Sequence, residues 1–117
     1  MMNASDIERK QNDTCKSYRC EFVPSPPESK LGLALRTVGN SPVNGLRHPV
    51  KENTNGWYIW CGTELSQSAD FFSPLHTSHV QEYCPEVLPY LGLPPGYRFL
   101  LAGDHVDIWF DAELLKV

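Results

Sequence analysis

This chain lacks most of the features that would give a small protein an immediate chemical assignment. No apolar run approaches the roughly 20 residues needed to span a bilayer, and the first stretch, MMNASDIERKQND, is too polar for a signal peptide. A cytoplasmic protein with no membrane partner is expected. There is no block of basic residues, and the net charge is −4. Phosphate binding needs clustered Lys and Arg, so nucleic acid is not expected as a partner. The four cysteines, Cys15, Cys20, Cys61 and Cys84, follow no framework spacing and are expected as free thiols in a reducing compartment. Gly92 and Gly96 are not followed by the lysine and hydroxyl residue of a phosphate loop. No internal repeat or low-complexity tract breaks the chain.

At 117 residues the chain makes one domain. Ten prolines, about twice the usual share, predict short elements joined by rigid connections. The centre of the reading is 43–62, VNGLRHPVKENTNGWYIWCG. Its second half is a glycine-bounded run of aromatic and β-branched residues, which favours a strand. Alternation puts Trp57, Ile59 and Cys61 on one face and Tyr58 and Trp60 on the other. Both faces are apolar, so the strand belongs in the middle of a sheet with cover on both sides. Asn55-Gly56 is read as a turn, and 43–48 as the antiparallel partner strand.

Around this centre the sequence predicts further elements. Ser5-x-x-Glu8 fits a capping box opening a polar helix over 6–18, so residues 1–24 are expected as a peripheral helix plus a short extended segment. Residues 25–117 then form the main domain. Ser25-x-x-Glu28 is a second capping box, and Leu31, Leu35 and Val38 recur at helical spacing, which predicts a helix over 26–38, with Gly32 allowing close approach to the sheet. Thr63 to Ser73 is expected as an irregular surface segment pinned by Phe71 and Phe72. Pro85 must break the third helical region into 77–83 and 86–91. Gly103-Asp104 suits a two-residue hairpin turn pairing Leu101 with Val106, Phe99 with Ile108 and Tyr97 with Phe110 on one face. The other face pairs Leu100 with Asp107 and Arg98 with Trp109, a geometry fit for a cation–π contact. The fold expected is α+β: a mostly antiparallel sheet of about four main strands with helices packed on one face.

No catalytic constellation emerges, and no cofactor or metal is expected. His76 and His79 lack the second ligand pair of a zinc site. Cys61 sits in an apolar strand and reads as a core thiol. Asp107 and Asp111 share a strand face but are about 13 Å apart by strand rise, too far to share a metal. The candidate partner-binding residues are Arg98, Asp107, Trp109 and Asp111, with Arg47 and His48 as an extension, because a mixed aromatic and charged sheet face suits protein contacts. A solvated acidic face is the plain alternative, as is Arg47 pairing with a nearby carboxylate.

GLRHPVKENTNGWYIWCG, DFFSPLHTSHV and CPEVLPYLGLPPGYRFLLAGDHVDIWFD together resemble the bacterial immunity proteins of family thirty-three of polymorphic toxin systems, in its looser "like" branch. The resemblance covers about 29–117. It implies a small α+β protein with a mostly antiparallel sheet that neutralises a cognate toxin by binding it, without chemistry, and it supplies no catalytic residues. Gly103-Asp104-His105 stands where the family pattern has a more acidic, proline-containing turn. Two other readings stay open: a binding module for another protein or peptide, and a small enzyme using His76, His79 or Cys84.

Overall fold

The computed structural model describes residues 3–117; the sequence also predicts a frayed start over 1–3, of which residues 1 and 2 lie outside the described residues. Its framework is a six-stranded sheet in the order β4-β1-β3-β2-β5-β6. The strands are β1 (Lys30–Leu33), β2 (Val43–Arg47), β3 (Thr54–Cys61), β4 (Ser73–His76), β5 (Tyr97–Ala102) and β6 (His105–Phe110). Every neighbouring pair is antiparallel except β1 and β3, which run parallel. The α+β class stands, but the sheet has six strands rather than four and is mixed.

β3 occupies the interior, as its two apolar faces require. Trp57, Ile59 and Cys61 enter a large core with Leu31, Leu33, Val80, Val87, Leu91, Leu93 and Phe99. Trp60 lies in a second cluster with Ala34, Leu46 and Leu114, flanked by Tyr58, Phe71 and Phe72. The turn before β3 falls earlier than Asn55-Gly56. Thr54 N–H donates to Lys51 O at 3.0 Å, and Glu52 takes a positive φ of 54°. Asn55 is instead buried inside the strand. Its Nδ2 donates to Thr77 Oγ1 at 2.8 Å and its Oδ1 accepts from Trp57 N–H at 3.0 Å, so each half of the amide is satisfied. Gly56 has φ +91°, and a Cβ there would lie 2.0 Å from His48 O. Only glycine meets both conditions.

The helix expected over 26–38 is not formed. Lys30–Leu33 is a strand and Leu35–Thr37 a single 3-10 turn. Leu31 and Leu33, two apart, are both buried, which is strand alternation. Gly32 does provide close approach, but as a strand residue: a Cβ there would lie 2.8 Å from the Tyr58 ring.

α1 (Ala4–Ser17) starts two residues earlier than the Ser5 capping box implies. Asn3 is its cap, accepting from Asp6 N–H at 2.9 Å. It covers the larger core together with the 3-10 helices Thr77–Glu82 and Pro85–Tyr90, the pair that Pro85 divides. Gln11 Nε2 donates to Leu88 O at 2.9 Å and Cys15 Sγ to Gly92 O at 3.3 Å. A last 3-10 helix, Ala112–Leu115, lays Leu114 on the opposite face. No helix among the described residues is long and apolar enough to cross a membrane.

Candidate functional site

The β5–β6 hairpin has the register its turn requires, with all six pairs from Tyr97↔Phe110 to Ala102↔His105 in place. Arg98, Leu100, Asp107 and Trp109 therefore share a face with Leu46 and Trp60. Arg98 Cζ sits 5.7 Å from the centroid of the Trp109 ring. Its Nη1 also donates to Asp111 Oδ2 at 3.1 Å. Asp111 in turn caps the last 3-10 helix, its Oδ1 accepting from Glu113 N–H at 3.1 Å. The guanidinium is held between an indole and a carboxylate that is itself fixed to backbone. Trp109 thus presents a half-exposed ring, 42% accessible, on a rigid support. Beside it Asp107 is exposed, with Oδ2 2.9 Å from His105 Nε2.

His48 lies on the same face. Its Nδ1 is 2.9 Å from Leu114 O, and its ring meets Tyr58 edge-on at 5.6 Å. The imidazole ties the C-terminal turn down to the sheet. Next to it opens a groove of about 650 Å³ lined by Leu46, His48, Val50, Tyr58, Leu65 and Phe72. The groove was not legible in the sequence, because it forms where the irregular stretch before β4 folds back over Tyr58. The Phe71-Phe72 pair was the available signal.

Arg47 does not belong to this surface. It is fully buried, with 0% of its surface accessible, on the opposite face of the sheet and 5.6 Å from the Trp57 ring centroid. Among the described residues no carboxylate pairs with it. Its guanidinium donates to four backbone carbonyls: Asn55 O at 2.8 Å, Val23 O at 2.8 Å, Leu93 O at 2.7 Å and Pro24 O at 3.2 Å. Burial pushes it down to about 10, so it stays charged at neutral pH. Strand alternation carried the clue, since Arg47 shares a face with Val43 and Gly45.

All four cysteines are free thiols. Cys61 and Cys84 are buried; their shared hydrogen bond holds Cys61 down to about 7, while the same bond and burial push Cys84 up. Among the described residues no histidine hydrogen-bonds a cysteine. His76 and His79 are exposed, with ring centroids 6.3 Å apart. No group of three or more His, Cys, Asp or Glu side chains among the described residues is placed to hold a metal ion.

A family model described as the Imm33-like domain matches residues 10–111. The chain belongs to the Imm33-like domain family. No curated protein and no solved structure matches it. Membership places the chain in an immunity-protein family, for which a toxin is the general kind of partner. The Imm33-like match starts within α1 and closes at Asp111, so it takes in all six strands, the Arg98–Trp109–Asp111 cluster and His48. It begins well before residue 29, and the second half of α1 is part of the Imm33-like unit.

Proposed function

We propose that this protein neutralises a bacterial toxin by binding it, without chemistry, and that the binding surface is the sheet face carrying Arg98, Asp107, Trp109 and Asp111, with His48 at its margin. The observation that carries the reading is the indole of Trp109, half-exposed and pre-set over an Arg98 already locked by Asp111. Binding energy at protein interfaces concentrates in a few aromatic and arginine anchors that lose little freedom on docking. Asp107 beside it adds a carboxylate suited to a basic surface, which steers encounter as well as affinity.

The test is co-expression with candidate toxins drawn from the gene's neighbourhood, followed by titration of any pair that co-purifies. Trp109→Ala is expected to weaken the complex by at least tenfold, about 1.4 kcal/mol, and Asp107→Ala by less. If both variants protect cells as well as the unaltered chain, the surface is wrongly placed. The groove beside Tyr58 favours a second reading, in which the partner is an extended peptide unconnected with a toxin. Leu65→Lys would abolish binding under that reading and leave toxin protection intact under the first.

A further inference from the structure

The two edges of the sheet are built differently. β4 is four residues long and contains Pro74, which blunts it as an edge. β6 is six residues long, with no proline, no lysine and no bulge in its register with β5. Its one formal charge is Asp107. Val106, Trp109 and Phe110 are 38%, 42% and 52% exposed. An unprotected edge of this length is a ready template for another strand.

The backbone parity of β6 is fixed at both ends. A two-residue turn makes Ala102 and His105 a hydrogen-bonded pair, and Asp111 N–H donates to Gly96 O at 2.7 Å. Residues 105, 107, 109 and 111 thus turn their N–H and C=O groups toward β5. Val106, Ile108 and Phe110 turn theirs outward, and among the described residues none of these three N–H groups enters a turn, loop or cap hydrogen bond.

We propose that β6 pairs antiparallel with β6 of a second copy of this chain, about a two-fold axis at Ile108, joining two sheets into one. The choice of partner and register rests on self-complementarity. Centring the pair on residue 107 sets Asp107 against its own copy, and centring it on 109 sets Asp107 against Asp111; like charges directly opposite are destabilising. Centres at 106 or 110 run into the Gly103-Asp104 turn or the 3-10 helix after Asp111, leaving few pairs. The centre at Ile108 alone uses the whole strand. It matches Val106 with Phe110 and Ile108 with Ile108 on the helix-covered face. On the other face it matches Asp107 with Trp109 and His105 with Asp111. Symmetric pairing of this kind closes after two copies. It also brings two Arg98–Trp109 clusters side by side, although it depends on the edge and not on toxin binding.

The test uses the full chain. Light scattering across a dilution series is expected to approach twice the 13.2 kDa of the chain, and Val106→Lys is expected to return it to 13.2 kDa with an unchanged circular dichroism spectrum. Hydrogen-bonded antiparallel pairs have Cα atoms about 5.5 Å apart, within disulfide range. Ile108→Cys should therefore cross-link two copies under mild oxidation, well above both Asp107→Cys and the unaltered chain. A 13.2 kDa species at every concentration, a dimer that survives Val106→Lys, or Ile108→Cys that cross-links no better than the unaltered chain would each overturn the proposal. Should Val106→Lys fail to fold, the cross-linking comparison decides alone. A monomer whose Val106→Lys variant loses toxin binding would assign the edge to a strand of the toxin instead.

Discussion

On one side of β3, Trp57, Ile59 and Cys61 meet a lid of α1 and two 3-10 helices, and the core is closed. On the other, Tyr58 and Trp60 are covered by Ala34, Phe71, Phe72, the His48 ring and the single turn that carries Leu114, and a groove of about 650 Å³ remains beside them. The same strand supplies both faces with large apolar side chains. What differs is the cover: helical elements tied down by buried hydrogen bonds on one side, short irregular segments on the other. The closed face holds the fold together. The lightly covered face leaves aromatic and charged groups within reach of a partner, and its rigidity is inherited from the closed face behind it.

This contrast can be broken most severely at Arg47. Arg47→Met removes the donors of four carbonyls, those of Asn55 and Leu93 buried and those of Val23 and Pro24 partly so, that link β2 to these segments. A loss of about 3–5 kcal/mol is expected in urea denaturation, since stranded buried acceptors cost far more than a lost surface contact. Arg47→Lys should recover little of it, because an ammonium cannot reproduce the fork. A loss below about 1 kcal/mol would show that the buried charge does not organise the closed side. Leu33→Ala, also in the closed core, is expected to cost about 2–5 kcal/mol by the same measurement.

On the open face the effects should be smaller. Phe72→Ala removes a ring that meets Tyr58 at 5.1 Å and Phe71 at 4.9 Å but is only partly buried. About 1–2 kcal/mol is expected, below the range for a fully buried phenylalanine. Equal losses at Leu33 and Phe72 would erase the distinction between the two sides. The smallest stability effect should come from Trp109→Ala, within about 1 kcal/mol, while under the proposed function the same variant is expected to give the largest loss of toxin binding.

The parts legible in the sequence were those decided by neighbours along the chain. Gly103-Asp104 set the register of β5 and β6 and so placed Arg98 over Trp109. The alternation in β3 told which of its aromatics would share a side. β1 was hidden because Leu31, Leu35 and Val38 satisfy a helical period as well as Leu31 and Leu33 satisfy a strand period. What selects the strand is distant: parallel pairing with β3 and the seat of Gly32 against Tyr58. β4 was hidden because it lies between the expected irregular segment ending at Ser73 and the helix expected from 77, and only pairing with the distant β1 makes it a strand. Arg47 was misplaced because arginine is rarely fully buried, and its four acceptors come from three separate segments. His48 was grouped with Arg47 although strand neighbours point to opposite faces, and its contact with Leu114 O joins residues 66 positions apart, beyond any local signal.

Calorimetric titration of candidate toxins drawn from the gene's neighbourhood with the unaltered chain and with Trp109→Ala, each checked for an identical urea midpoint, tests the central claim most directly. The account predicts a dissociation constant at least tenfold weaker for Trp109→Ala, about 1.4 kcal/mol, at unchanged stability. An unchanged constant would contradict it and move the contact surface off this face of the hairpin.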